Sequence, residues 1–347
     1  MYPHIFSQIS HGSLSDKVWE FHRSLLPQKL QKAYDCIKDA IEQRKTLVDV
    51  SQYHLKSNDL GRIKRAIHYD CPIFFDHSID SYYHNDDLIT SINLSYQFND
   101  DKYHWYVRKC IERMWELYCD LGLSRESEYM VVKIIHDYLT RNVVWYESTD
   151  ELRNHSVVGV LLNGTGVCDS IAFTVSMLLN AFGEKCTCIS GRDFSDDKDE
   201  LSDDDARHAW NVVEMRSHRG HLDIGFDFNN LNKTRPRYNY FLISDDDCKV
   251  TRSWDVQTSC DGEYSYFRYY GLAAENKQEF EHILRCEIND GMSYIQIKTW
   301  RDSTKKELYA SCAQILSSIY GKRIHDMKTP VTFDERRKIF TLEIKEA

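Results

Sequence analysis

The chain has 347 residues, 42% hydrophobic, 13% aromatic and 28% charged, with five prolines, a composition that belongs to a folded protein of more than one compact unit and excludes a disordered one. Its formal net charge of −10 provides no basic footprint for nucleic acid or an anionic lipid surface, so neither is expected as a partner. No stretch approaches about eighteen apolar residues and no basic-then-apolar leader opens the sequence, so no membrane span or export signal is expected. Eleven cysteines, an odd number without such a leader, point to free thiols and a reducing cytoplasm rather than a disulfide framework.

Leu26, Leu30, Ala33, Ile37 and Ile41 recur at helical spacing and predict a helix over Leu25–Gln43. From Pro72 to Phe98 β-branched and aromatic residues, interrupted at His84-Asn85-Asp86-Asp87, predict a hairpin. A helix over Trp105–Leu121 follows, with Trp105, Cys110, Met114, Leu117 and Leu121 as a core stripe. The next carries Tyr129, Val132, Ile135, His136 and Leu139 and ends before Val143. A tight turn, Asn163-Gly164-Thr165-Gly166-Val167, then feeds a helix that starts at Cys168 and runs to Gly183. Strands are predicted over Lys185–Ser190, Ala209–Met215 and His221–Phe226. The acidic run Asp196–Asp205 reads as a solvated loop, because it lacks the spaced ligands and glycine of a calcium loop. Beyond Trp254 come a helix (Lys277–Ile288), a strand (Ser293–Trp300), a helix (Lys306–Tyr320) and a strand (Lys338–Ile344). The expected division is a helical and hairpin region at 1–124, a core at 125–255 and a small α+β unit at 256–347.

The chemistry centres on Cys168. A nucleophilic thiol acts as thiolate, a form favoured by the amides of a helix N-terminus and by a nearby imidazolium. Gly164 and Gly166 let the chain turn sharply and keep bulk away from the sulfur, and the amides that open the helix are placed to stabilise an oxyanion. The other ten cysteines lack this context and read as small buried hydrophobes. His208 starts the second strand, and Asp223 and Asp227 lie on the third. With a turn at Arg216-Ser217, His208 faces Gly225 and lies diagonal to Asp223; with a loop at Ser217–Gly220, Asp227 becomes the diagonal neighbour. Thiol, imidazole and carboxylate are the set that acyl transfer requires, for attack, proton transfer and a fixed tautomer. Neither Cys186-Thr187-Cys188 nor His218 with His221 has the paired spacing of a zinc site, and no phosphate loop or dinucleotide fingerprint is present. No metal or cofactor is expected.

The order of a glycine-rich turn with Val167-Cys168, a His208-Ala209-Trp210-Asn211 strand and a hydrophobic strand bearing Asp223 resembles the bacterial transglutaminase-like domain, together with the Tyr129–Leu139 helix, Asn142-Val143-Val144-Trp145-Tyr146 and Tyr240-Phe241-Leu242-Ile243-Ser244-Asp245. The resemblance covers roughly residues 125–255. It implies an α+β, papain-like architecture in which the helix bearing Cys168 packs on an antiparallel sheet bearing His208 and Asp223, flanked by N-terminal and C-terminal α/β units. The family's histidine-to-aspartate spacing favours Asp223 over Asp227. Such proteins include transglutaminases, peptidases, amidases and inactive scaffolds, so a protein or peptide substrate is implied but the reaction is not fixed. Asp169 and Val167 stand where the animal crosslinking enzymes carry tryptophan and glutamine, which argues against calcium-dependent crosslinking. Trp145 and Tyr146 are candidates to complete an oxyanion hole, although core packing is the plainer expectation for both.

Overall fold

Helices and strands alternate along the chain in a computed structural model that describes residues 19–84, 87–147, 149–194, 207–228, 237–321 and 330–344. The acidic run Asp196–Asp205 and part of the expected turn at His84–Asp87 lie outside the described residues. The chain divides into two compact units, the first comprising residues 1–217, 222–237 and 253–257, the second 218–221, 238–252 and 258–347.

In the first unit, helix α1 (Gln28–Glu42) buries Leu30, Ala33, Tyr34, Ile37 and Ile41, the stripe that its helical spacing predicts. It packs on α2 (Ser57–Asp70), whose Leu60, Ile63, Ala66 and Ile67 are also buried. Strands β1 (Leu47–Asp49), β2 (His77–His84) and β3 (Leu88–Tyr96) form an antiparallel sheet in the order β1-β3-β2, so the predicted hairpin is β2–β3. Buried Ile79, Ile89, Ile92 and Leu94 join the helices in one hydrophobic cluster. Helix α3 (Asp100–Asp120) is capped by Asn99, whose side chain accepts the Lys102 N–H. Its Cys110, Met114 and Leu117 are buried as the stripe predicts, whereas Trp105 is 47% exposed.

Helix α4 (Glu128–Asn142) is capped by Ser127 and leads into β4 (Val144–Trp145), which pairs in parallel with β5 (Thr165–Gly166). Helix α5 then runs Cys168–Ala181, and every residue from Ser170 to Ala181 is buried. A helix so enclosed is stabilised on all faces, at about 1.5–3 kcal/mol for each fully buried Val, Leu, Ile or Phe. It packs on the antiparallel pair β6 (Lys185–Asp193) and β7 (Arg207–Met215), in a register that sets Gly191 opposite His208 and Cys188 opposite Asn211.

β7 ends at Met215, and Arg216 and Ser217 follow with φ values of 47° and 73°. Two consecutive positive φ values are what a two-residue hairpin turn requires. β8 (His218–Leu222) comes next, and the strand expected to continue to Phe226 stops at Leu222. The reason is local: the Asp223 side chain accepts the Phe226 N–H at 3.1 Å and caps a single helical turn, Ile224–Asp227.

In the second unit β8 neighbours β9 (Phe241–Ile243). Helices α6 (Lys277–Asn289) and α7 (Lys305–Tyr320) accompany an antiparallel sheet, β10 (Tyr294–Lys298), β11 (Val331–Asp334) and β12 (Ile339–Glu343), in the order β10-β12-β11. Of these only β11 was unexpected. Phe280 and Phe340 meet edge to face at 4.9 Å in its core. All eleven cysteines are free thiols. Among the described residues no helix is long and apolar enough to cross a membrane.

Candidate active site

The turn before Cys168 is built by its glycines. Gly164 has φ +68°, the left-handed region that other residues enter at a cost, and a Cβ on Gly166 would lie 2.2 Å from Ser170 Oγ. That hydroxyl accepts the Val167 N–H at 2.9 Å and donates to the Val167 carbonyl at 3.0 Å, which closes the entry to α5. Cys168 is the first residue of α5 and is partly exposed. Asp169 beside it accepts the Ser170 N–H at 2.7 Å, and its other carboxylate oxygen lies 2.7 Å from His155 Nδ1.

His208, on β7, is buried with its Nε2 2.7 Å from Asp223 Oδ2. Asp223 is 3% exposed. The ring is held between Trp210, stacked at 5.8 Å, and the edge of Phe226 at 4.7 Å. Phe226 donates its N–H to the same aspartate, so one carboxylate both caps the helical turn and fixes the imidazole. A carboxylate that accepts from Nε2–H leaves the basic lone pair on Nδ1, the arrangement a general base needs.

Asp227, the other aspartate that the sequence left open, faces elsewhere. Its Oδ2 lies 3.3 Å from His136 Nε2, and both side chains are fully buried. Complete burial acts to lower the His136 pKa, but hydrogen bonds and attraction from Asp137 and Asp227 outweigh it and raise the pKa above its ordinary value. His136 was read as part of an apolar stripe, and nothing in its local sequence pointed to a carboxylate 91 residues away.

β7 is joined to α5 by Asn211, whose Nδ2 donates to the Ala172 carbonyl at 2.8 Å and to Ser176 Oγ at 3.0 Å. α5 also packs on the helical turn that Asp223 caps. Cys168, His208 and Asp223 therefore all lie on mutually packed elements of the first unit. Trp145 and Tyr146 are not core residues but are 44% and 57% exposed. A Cβ on Gly225 would meet Trp145 at 3.2 Å and Asp223 Oδ1 at 3.5 Å, which sets the indole beside the aspartate.

Residues 121–222 match the family model of the transglutaminase-like superfamily. This segment is transglutaminase-like. It includes Cys168 and His208 and ends one residue before Asp223. No curated protein sequence matches the chain. Among solved structures, a candidate cysteine protease from Cytophaga hutchinsonii is 16% identical, with a TM-score of 0.28 over 44% of this chain and 65% of that one. A TGase is 12% identical, with a TM-score of 0.30 over 52% of this chain and 50% of that one. The periplasmic domain of TgpA from Pseudomonas aeruginosa is 13% identical, with a TM-score of 0.27 over 44% and 66%. The chain thus spans between half and just under two thirds of the length of these structures.

One grouping among the described residues could hold a metal ion: His221, Asp245 and Cys260 of the second unit present ligand atoms within 4.8 Å of one another. Asp245 Oδ1 is already engaged there by Thr258 Oγ1 at 2.7 Å, the Cys260 N–H at 3.1 Å and His221 Nε2 at 2.8 Å. The sequence pattern did not bring these three together, because they come from three separate stretches of the chain.

Proposed function

We propose that the protein is a cysteine-dependent acyl-transfer enzyme with Cys168 as nucleophile, His208 as general base and acid, and Asp223 as the residue that orients the imidazole. The observation that carries this reading is the buried His208–Asp223 contact of 2.7 Å in a unit that also holds a partly exposed cysteine at the start of a helix. The Cys168 thiolate attacks a peptide or carboxamide carbonyl carbon, and the tetrahedral oxyanion is held by the amides that open α5. His208, protonated, gives its proton to the leaving nitrogen as the C–N bond breaks, which leaves a thioester. Water then attacks with His208 as base, the thioester bond breaks, and the carboxylic acid departs as the thiol is restored. Hydrolysis is favoured over transfer to an amine, since Val167 and Asp169 depart from the animal crosslinking pattern.

Site-resolved alkylation by iodoacetamide at pH 6 tests the reading. Seven of the eleven cysteines are buried, while Cys119 and Cys286 are exposed and serve as internal references. Cys168 should label at least about tenfold faster than Cys119 and Cys286, and His208→Ala should abolish the difference. Labelling at or below the rate of Cys119 would sink the enzyme and leave a non-catalytic peptide-binding module of the same fold. If the enzyme joined a primary amine to an acceptor far faster than it released free acid, amine transfer would replace hydrolysis.

A further inference from the structure

A cavity of about 600 Å³ opens in the first unit, lined by α2, the segment after it, the 152–156 stretch and Phe173 of α5. That volume suits a ligand of drug size or a few peptide residues. Its lining is unusual for a chain of net charge −10. It contains Lys64, Arg65, His68, His77 and His155 and no aspartate or glutamate. Lys64 Nζ donates to the Ile79 carbonyl, a neutral acceptor that leaves its charge uncompensated, and no described carboxylate forms an ion pair with Lys64 or Arg65.

The cavity is connected to the candidate site by direct contacts. His155, on its wall, is bonded at 2.7 Å to Asp169, the residue after Cys168. His68 stands edge-on to Phe173 at 4.8 Å, and Phe173 lies on the helix that Cys168 opens. Tyr69, next to His68 on α2, donates to Ser190 Oγ at 2.6 Å, one residue from the Gly191 that pairs with His208. α2 is thus fastened across both the nucleophile's helix and the histidine's neighbouring strand, with its cations facing the cavity.

We infer that this cavity receives a carboxylate of the acyl-donor peptide, from an acidic side chain or a C-terminus, and so selects acidic peptides as substrates. The inference rests on Cys168 acting as the acyl-transfer nucleophile. Lys64 and Arg65 are the standing cations of this lining, which holds no acidic side chain, and such cations are costly to desolvate for a neutral ligand and favourable for an anionic one, which gives discrimination by charge.

The test uses the full chain carrying Cys168→Ala, which binds without turnover, and fluorescence anisotropy with three short labelled peptides. One has an internal glutamate and an amidated C-terminus; the second has glutamine in its place; the third has glutamine and a free C-terminal carboxylate. The glutamate peptide or the free-acid peptide should bind about tenfold tighter than the neutral one, and which of them does so identifies the carboxylate. Arg65→Gln should cut that preference to about threefold or less, and Arg65→Glu should remove it, whereas Arg62→Gln, exposed on the same helix outside the lining, should leave it intact. Equal affinity for all three peptides, or a preference indifferent to both Arg65 variants in chains with unchanged thermal midpoints, overturns the inference. Alkylation of wild-type Cys168 reads the catalytic proposal separately. Charge-selective binding without selective alkylation would refute the nucleophile and keep the cavity; selective alkylation without charge preference would do the reverse.

Discussion

His208 Nε2 and Asp223 Oδ2 are 2.7 Å apart, and the aspartate's second oxygen accepts the Phe226 N–H at 3.1 Å. The imidazole is therefore positioned by a side chain that is itself fixed by the first turn of a helix. Replacing Asp223 with Asn keeps the cap acceptor but permits the wrong imidazole tautomer. The expected outcome is a fall of about tenfold in the pH 6 alkylation rate of Cys168 with the thermal midpoint nearly unchanged. An undiminished rate would remove Asp223 from the proposed site.

Asp227→Asn should behave in the opposite sense. It weakens the buried contact to His136, so unfolding free energy should drop by about 1–3 kcal/mol while Cys168 alkylation stays within about twofold of wild type. Denaturant titration together with the alkylation assay separates the two aspartates.

Gly166→Ala drives a Cβ to within 2.2 Å of Ser170 Oγ, the atom that closes the entry to α5. A loss of about 1–3 kcal/mol is expected. Gly61, inside α2, has nothing within 4 Å of its would-be Cβ, and Gly61→Ala should raise stability by about 0.5–1 kcal/mol. Calorimetric midpoints moving in the same direction for both variants would contradict the packing described.

Asp70 offers a test by pH. Burial pushes its carboxyl pKa up to about 7, against hydrogen bonds from the His22 and Arg23 amides and from Tyr34 that act to lower it. Because the folded value is raised, the contribution of this group to stability is complete below about pH 4, the ordinary carboxyl range, and is lost as pH rises toward 7. A carbon-detected NMR titration should show one aspartate with a midpoint near 7 that disappears in Asp70→Asn. An ordinary midpoint for Asp70 would refute burial as the effect that outweighs its three hydrogen bonds.

The helices and strands whose apolar spacing was regular were legible in the sequence: α1, α4 and α5 lie close to where periodicity put them. Helix α2 was overlooked although Leu60, Ile63 and Ile67 carry the same three-to-four spacing; the charged residues between them diluted a pattern that was present. At the candidate site the residue types were legible but their pairing was not. Two hairpin registers were both allowed by the sequence, and the turn at Arg216-Ser217 and the contact between His208 and Asp223 follow from backbone conformation, not composition. The strand end at Leu222 was missed because a capping aspartate and an orienting aspartate look identical in sequence, and here Asp223 is both. Partnerships such as His136 with Asp227 depend on distant segments and leave no local trace.

Helix α5 has no solvent face from Ser170 to Ala181. Most helices tolerate replacement on one side and resist it on the other, so a saturation survey of variants across them rises and falls with a period near 3.6. Across α5 the survey should be flat and uniformly intolerant, whereas α6, which buries Phe280, Leu284 and Ile288 among exposed neighbours, should show the oscillation. Freedom to vary this fold would then reside in the walls around that helix, among them α2, and not in the element that carries the sulfur.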